Sequence, residues 1–488
     1  MPIPRALLVP IAVTALVASL RMAPVSGAPD AKIPTKEALA AVEAKLLLPI
    51  LRTALKEDFR RQAWYVASRI VAADPKSGEA ETALKQWKGV DLEEGREPSK
   101  AWLATRDVVF KKVGDAYAQF TREAQAGGGK ATDTFAYVER ALAYGSAAAD
   151  AIAAMDSGGY AWHGTYGSVK KGALDAALGA FAPSVSFPPE HDDAVLKYRC
   201  VWPDAKVVEF GKTRLVSTLA PEDVWHTVAI LAAEEAYFVK TFGSKAKEPP
   251  KDEDDHTDLV VVPDADLYGR LGDAFLTQFS PAQRTEYDAS SSWYMAWKRR
   301  LLMLVPPRDN AWIDRDATIL GQGVRALVRR HLGAGASSWL SGRGSWFLDG
   351  FTGAFEGFVP KGTDGGDVDP AKCWRLAAMK ELYDRAAFVP WKELFEMDRA
   401  KADAYAKRDV AFDFGGAKRD AKKVDVPAAQ ATALVLAIWQ MDGGKGVKKL
   451  GAILDELYKR DRLPDLDKAL GLAAGKLVDA TQHLVSGK

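Results

Sequence analysis

The chain is poor in the side chains that carry most metal and redox chemistry. Its 488 residues include only two cysteines, Cys200 and Cys373, and six histidines. Two thiols exclude a cysteine-rich zinc ribbon and a disulfide-built scaffold. His163, His191, His226, His256, His331 and His483 are never four positions apart, so no pair shares one turn of a helix face. Charge of one sign is also missing. Lys and Arg total 66 against 65 Asp and Glu, which speaks against bulk nucleic-acid binding. There is no G-x-S-x-G elbow, phosphate loop or dinucleotide fingerprint. Gly321-Gln322-Gly323 and Gly333-Ala334-Gly335 lack the preceding strand that a phosphate cradle needs. The acidic run Asp252-Glu253-Asp254-Asp255-His256 lacks the spacing of a calcium loop and reads as a solvated loop.

Long apolar runs are scarce too. The main one, Ala6–Leu20, is shorter than the roughly 20 residues a membrane span requires. Arg5 precedes it and Ser26-Gly27-Ala28 follow, so residues 1–28 read as a signal peptide cleaved after Gly27 or Ala28. The mature chain is therefore expected to be exported (periplasmic or extracellular), with no stable membrane insertion. An exported location permits a Cys200–Cys373 disulfide. Two separately buried thiols fit the sequence equally well.

What is present is ample material for cores: 48% of residues are apolar, and the length implies more than one domain. Residues 29–195 read as a helical N-terminal region. Lys36–Leu55 and Arg60–Ala72 are spaced as amphipathic helices, and Ala73-Asp74-Pro75 stops the second. Ala101–Gln125 and Thr132–Met155 follow, around Gly127-Gly128-Gly129. Pro183–Pro203 is proline-rich and marks a boundary. Lys206–Phe210 and Thr213–Leu219 alternate apolar and polar residues around Gly211-Lys212, which predicts a hairpin. Pro221–Phe242 is a predicted helix capped by Gly243. Asp258–Val262 and Arg299–Val305 are predicted buried strands. The sheet is expected to hold three to five strands. Val359–Pro370 reads as a flexible link into a helical C-terminal part, 361–488, within which Phe412–Val426 reads as a polar loop. The fold class is α+β, predominantly helical, with a small mixed sheet in residues 196–360.

The most informative stretch is Ala317–Phe358. An apolar helix is followed by a Gly/Ser-rich turn, and a second helix then carries Trp346-Phe347-Leu348-Asp349-Gly350-Phe351. This layout resembles the gluzincin zinc metallopeptidases of the peptidase MA-like group. Their first active-site helix reads H-E-x-x-H and their second roughly W-L-x-E-G-x-A-x-Y-x-E. The resemblance extends over roughly residues 205–485 and implies a gluzincin-like domain with a small mixed sheet and two cleft helices in 196–360. In that register Gly321 stands at the first His, Gln322 at the general-base Glu, Arg325 at the second His and Asp349 at the acidic ligand. Glu356 stands at the acid that closes the second motif.

The substitutions remove the chemistry. Glycine has no donor atom, a glutamine amide is not basic at neutral pH, and arginine stays protonated. One remaining carboxylate, Asp349, does not hold zinc. The resemblance thus implies a degenerate member without zinc or other cofactor, and Arg325 is expected to pair with Asp349 in the metal's place. The expected role is non-catalytic binding or scaffolding of a peptide or protein partner. The alternatives are an active peptidase or hydrolase with an unconventional site around Asp349 and Glu356, or a purely structural domain. His331 lies six residues past Arg325, on a different helix face, and is not expected to be a ligand.

Overall fold

The computed structural model describes residues 36–486 apart from 87–94, 127–130, 147–148, 173–183, 243–255, 277–278, 296–298, 306–314, 333–344, 362–364, 406, 415–416, 461–464 and 472. The expected signal peptide, residues 1–28, and most of the acidic run fall outside the described residues.

The N-terminal part is a helical bundle: α1 (Lys36–Lys56), α2 (Arg60–Ala73), α3 (Gly78–Gln86), α4 (Lys100–Ala126), α5 (Ala131–Ala143) and α6 (Ala149–Ser157). The helix expected over Thr132–Met155 is in fact two, because the chain turns at Gly145, whose φ is +74°. The apolar stripes of these helices converge in one cluster containing Leu47, Leu51, Val66, Ile70, Phe110 and Val113. Within it, fully buried Glu43 accepts hydrogen bonds from the hydroxyls of Tyr117 and Tyr144 and from Arg140 at 2.6 Å. That satisfies a carboxylate that would otherwise be costly to bury. The region is not purely helical as expected. A small hairpin, β1 (Tyr160–Trp162) with β2 (Ser168–Lys170), and a short strand β3 (Val185–Ser186) lie in it.

The segment around Pro183–Pro203 is ordered as β3 and α7 (Asp193–Arg199), N-capped by Asp192. Helix α7 links two cores: Leu196 joins the N-terminal cluster, while Val195 and Tyr198 face the sheet.

The main sheet has six strands rather than three to five. Their order is β3, β4 (Lys206–Phe210), β5 (Thr213–Ser217), β6 (Thr257–Val262), β8 (Arg300–Leu304), β7 (Ser292–Met295). Strands β3, β4 and β5 run antiparallel in succession, β5, β6 and β8 are parallel, and β7 pairs antiparallel with β8 at the edge. The β4–β5 turn has Gly211 at φ +52°, the left-handed geometry a tight hairpin needs. Central β6 is buried on both faces, hence its unbroken apolar run. Leu259 and Val261 pack with α8 (Pro221–Phe242) and α11 (Arg315–Leu332). Val260 and Val262 pack with α7, α9 (Ala265–Phe275) and Tyr287 of α10 (Pro281–Ala289). Full burial of each such side chain stabilises by roughly 1.5–3 kcal/mol.

The largest core joins the far faces of α8 and α11 to α12 (Ser345–Phe355) and the C-terminal helices. These are α13 (Trp374–Asp384), α14 (Trp391–Glu396), α15 (Arg399–Ala404), α16 (Val426–Gly444), α17 (Gly446–Arg460), α18 (Leu466–Leu470) and α19 (Ala474–Ser486). Two expectations are corrected here. Val359–Pro370 is not merely a link: β9 (Phe358–Pro360) pairs with β10 (Gly366–Val368). The expected polar loop is a hairpin of β11 (Arg408–Phe414) and β12 (Ala417–Val424), because Val410 and Phe412 are buried in the large core and hold it down.

Helix α12 packs on α16 almost backbone to backbone. A Cβ at Gly350 would lie 2.4 Å from the carbonyl oxygen of Ala431, and main chain cannot yield as a side chain can. Gly350→Ala is therefore expected to lower unfolding free energy by about 1–3 kcal/mol or more. Gly269→Ala in α9, where nothing lies within 4 Å, should instead stabilise by about 0.5–1 kcal/mol. Urea titration of the two variants measures both; equal midpoints would refute the close-packing explanation.

Candidate functional site

Helix α11 presents Gln322, Arg325 and Arg329 at positions i, i+3 and i+7, one face of the helix. Its buried apolar stripe, Leu320, Val324, Leu327 and Val328, fixes that face by packing into the large core. Helix α12 is so apolar that every residue but Asp349 is buried. The two helices therefore meet largely through apolar side chains, with Asp349 and Thr352 the polar residues of α12 that face Arg325.

At that point Arg325 Nη2 donates to Asp349 Oδ1 at 2.8 Å. The pairing expected from the sequence is present. A second guanidinium takes the other oxygen: Arg399 Nη1 donates to Asp349 Oδ2 at 2.7 Å. Arg399 also donates from Nε to Asp403 at 3.2 Å. Burial alone would push the Asp349 carboxyl up. The charges of Arg399 and Arg325 outweigh it and hold the carboxyl below its ordinary range. Burial draws the Arg325 guanidinium down against the pull of Asp349, and Arg399 and Arg375 repel it further.

Glu356, just past α12, is engaged separately. Arg375 Nε donates to its two oxygens at 2.9 and 3.0 Å. Burial still leaves this carboxyl above its ordinary range despite Arg375. The Glu356 side chain also occupies the space beside Gly321: a Cβ there would lie 2.8 Å from Glu356 Cγ and 3.3 Å from the Thr352 carbonyl oxygen. The Gln322 Oε1 atom is buried and accepts no hydrogen bond. The structure thus places Arg325 against Asp349 and Gly321 beside Glu356, with the two carboxylates held by different arginines.

Three arginines and a tyrosine complete the site and were not foreseen. Arg399 and Arg375 arrive from α15 and α13, 50 and 19 residues away from their carboxylates, separations that leave no periodic trace. Arg329 was in principle visible as a basic residue one turn past Arg325. Its guanidinium sits 5.0 Å from the centroid of Tyr294 on the edge strand β7, within cation–π range. Its Nε is buried without an acceptor.

The two cysteines are not joined in a disulfide, with Cys200 Sγ directed at the Lys197 carbonyl and Cys373 Sγ at the Gly353 carbonyl, each at 3.4 Å. Burial pushes the Cys373 thiol up to about 12, so it is unreactive at neutral pH. A second polar feature lies under the sheet. Among the described residues neither carboxyl oxygen of fully buried Glu234 has a hydrogen-bond partner, and Glu234 lines a small pocket with Thr213, Thr257, Glu235, Gly323 and Arg330. Burial, then the neighbouring Glu235 charge, raises Glu234 well above its ordinary value, which favours its neutral form.

Among the described residues, no group of three or more His, Cys, Asp or Glu is placed to hold a metal ion, and no helix is long and apolar enough to cross a membrane. Neither protein-family models nor curated proteins yield a match to this chain.

Proposed function

We propose that this is an exported, non-catalytic relative of the gluzincin metallopeptidases, a binding or scaffolding protein that keeps the α11–α12 cleft for a peptide or protein partner. The observation that carries this reading is the Arg325–Asp349–Arg399 bridge. The carboxylate at the acidic-ligand position has both oxygens committed to guanidiniums, which do the neutralising work that a metal cation does in an active site of this kind. Glu356 beside Gly321 supports the same reading, since an imidazole at that position would collide with it.

One observation favours a hydrolase instead. Asp349 is held low and Glu356 is pushed high, the divergence expected of a base and an acid sharing a site. The arginines on both carboxylates weigh against it, because each would have to leave before its partner could transfer a proton.

Elemental analysis of the purified mature chain, after dialysis against zinc, tests the proposal together with a peptidase assay on unfolded protein substrate. The expected result is far less than one zinc per chain and no chelator-sensitive cleavage. About one equivalent of tightly held zinc, lost on chelation together with a peptidase activity, overturns it.

A further inference from the structure

Helix α15 is six residues long, and none of them is buried. A helix that short does not hold its shape in water on its own, so α15 is helical because it is docked. The anchors on either side of it are firm. Met397 before it and Val410 of β11 after it are each 1% exposed, both in the large core. Between them, from Asp398 to Asp409, none of the described residues is buried. Ala402 and Tyr405 lean on the core while remaining partly exposed. One charged contact ties the helix to α12. Arg399 Nη1 reaches Asp349 Oδ2 at 2.7 Å, with the arginine side chain 37% exposed and the carboxylate 12% exposed.

Neither charge is stranded when this contact breaks. Arg399 keeps Asp403, four residues on in the same helix, at 3.2 Å, and gains water. Asp349 keeps Arg325 at 2.8 Å. Separation therefore costs what a partly solvated pair is worth, less than a buried one. The backbone flanking α15 is extended, at Met397 and Asp398 (ψ +131° and +172°) and at Tyr405 (ψ +130°). Such residues at the ends of elements absorb the change in backbone angles when a segment moves. The preceding helix α14 differs: its Leu394 is fully buried, which keeps α14 in place.

We propose that α15 is a strap over Asp349, latched by Arg399, which lifts by local unfolding while the rest of the C-terminal core stays folded. In the closed state both Asp349 oxygens are engaged and α15 covers them. In the open state Oδ2 is released, while Arg325 still fixes the carboxylate through Oδ1. The strap thus controls access to a preset acidic group. It does not depend on descent from a metallopeptidase, and its failure would leave that reading untouched.

Hydrogen–deuterium exchange of the full chain at neutral pH, followed by mass spectrometry, reads the strap from the amides of Ala402–Tyr405. Wild type, Arg399→Gln and Arg399→Lys are compared, once circular dichroism and thermal unfolding establish that each is folded. In wild type the α15 amides should exchange faster than those of α13 and α16, as local opening requires. Arg399→Gln should speed exchange in α15 about tenfold, the usual worth of a charge-assisted contact, and leave α13 and α16 unchanged. Arg399→Lys should fall between, since it keeps the charge without the fork. Raising salt from about 0.05 to about 0.5 M should speed α15 in wild type but not in Arg399→Gln, because only a charged latch is screened. Cleavage by a lysine-specific protease after Lys401, an exposed residue of α15, should be faster in Arg399→Gln than in wild type. Exchange in wild-type α15 as slow as in α16, indifference of α15 to Arg399→Gln, or a salt response shared by both proteins overturns the proposal. So does equal acceleration throughout the chain, which would make Arg399 a brace of the whole fold instead of a latch.

Discussion

Replacing Asp349 by alanine is expected to lower the unfolding free energy by about 3–5 kcal/mol, the cost of removing one partner from a buried ion pair. Two cations depend on this carboxylate. Arg325 is packed between α11 and α12 and has, besides Asp349, only a long 3.5 Å contact with the Thr352 hydroxyl. Arg399 keeps Asp403, which is half exposed and so a weaker anchor. Asp349→Asn retains the volume and one acceptor but not the charge, and should fall between wild type and alanine. The companion experiment replaces both sides: Asp349→Leu with Arg325→Met should recover much of the loss, because a well-packed apolar pair avoids the desolvation that the ions suffer. Urea titrations of the four proteins at neutral pH read the series. An alanine variant within about 1 kcal/mol of wild type would mean that the bridge is solvated and weak, and the proposed substitution of arginines for a metal would lose its physical basis. The contribution also has a pH signature. Asp349 is held below its ordinary value of 3.8, so its stabilisation is fully present above that value and is lost as pH falls through the lower, folded-state one.

How much of this was legible in the chain depended on whether the deciding interaction was local. Helix α8 spans Pro221–Phe242 as its opening proline and apolar content predicted. The β4–β5 hairpin and the buried strands β6 and β8 likewise follow from short patterns that a single segment contains. The β11–β12 hairpin did not announce itself. Its second strand, Ala-Lys-Arg-Asp-Ala-Lys-Lys-Val, has no apolar alternation, and the pair is held by Val410 and Phe412 of its partner in a distant core. The edge strand β7 was missed for a similar reason: four residues are too few to show a period, and pairing with β8 defines it. At the site, the motif register led to Arg325 and Asp349 because both stand at fixed offsets within known helices. Arg399 and Arg375 could not be found that way. Nothing in the sequence says which of many arginines the C-terminal fold will bring back to α12. Glu234 illustrates the opposite failure. The acidic pair Glu234-Glu235 within α8 carries no mark in the sequence of which carboxyl will be buried. That helix is covered on both sides, by the sheet and by the large core, so one of the two carboxyls is buried without a partner.

His191 is expected to be the strongest acid-sensitive point of the N-terminal bundle. Its ring is edge-on to Phe110 at 4.8 Å and near Tyr65, between α2 and α4. Its carbonyl accepts from Gln62 and Arg106, which tie the segment to those helices. Burial is the main influence on the ring. The Arg106 charge adds to it, the nearby Ala143 backbone opposes both, and the imidazole falls from 6.5 to about 3. Asp107 lies 4.0 Å away but is already paired with Arg106 at 2.7 Å, so it does not reverse the direction. The folded chain therefore holds a neutral ring while the unfolded chain takes a proton. Stability from this group is complete above 6.5 and is lost progressively as pH falls towards about 3. Near pH 4.5 the loss should be about 2–3 kcal/mol, two pH units below the unfolded value at 1.36 kcal/mol each. Other groups also shift on folding, Asp349 downward and Glu234 and Glu356 upward, so the informative quantity is a difference between proteins. His191→Gln, which cannot be protonated and is similar in size, should be less stable than wild type at neutral pH by no more than about 1 kcal/mol. At pH 4.5 it should be the more stable of the two. Urea midpoints of both proteins at the two pH values decide it, and parallel loss of stability in wild type and variant would place the acid sensitivity elsewhere.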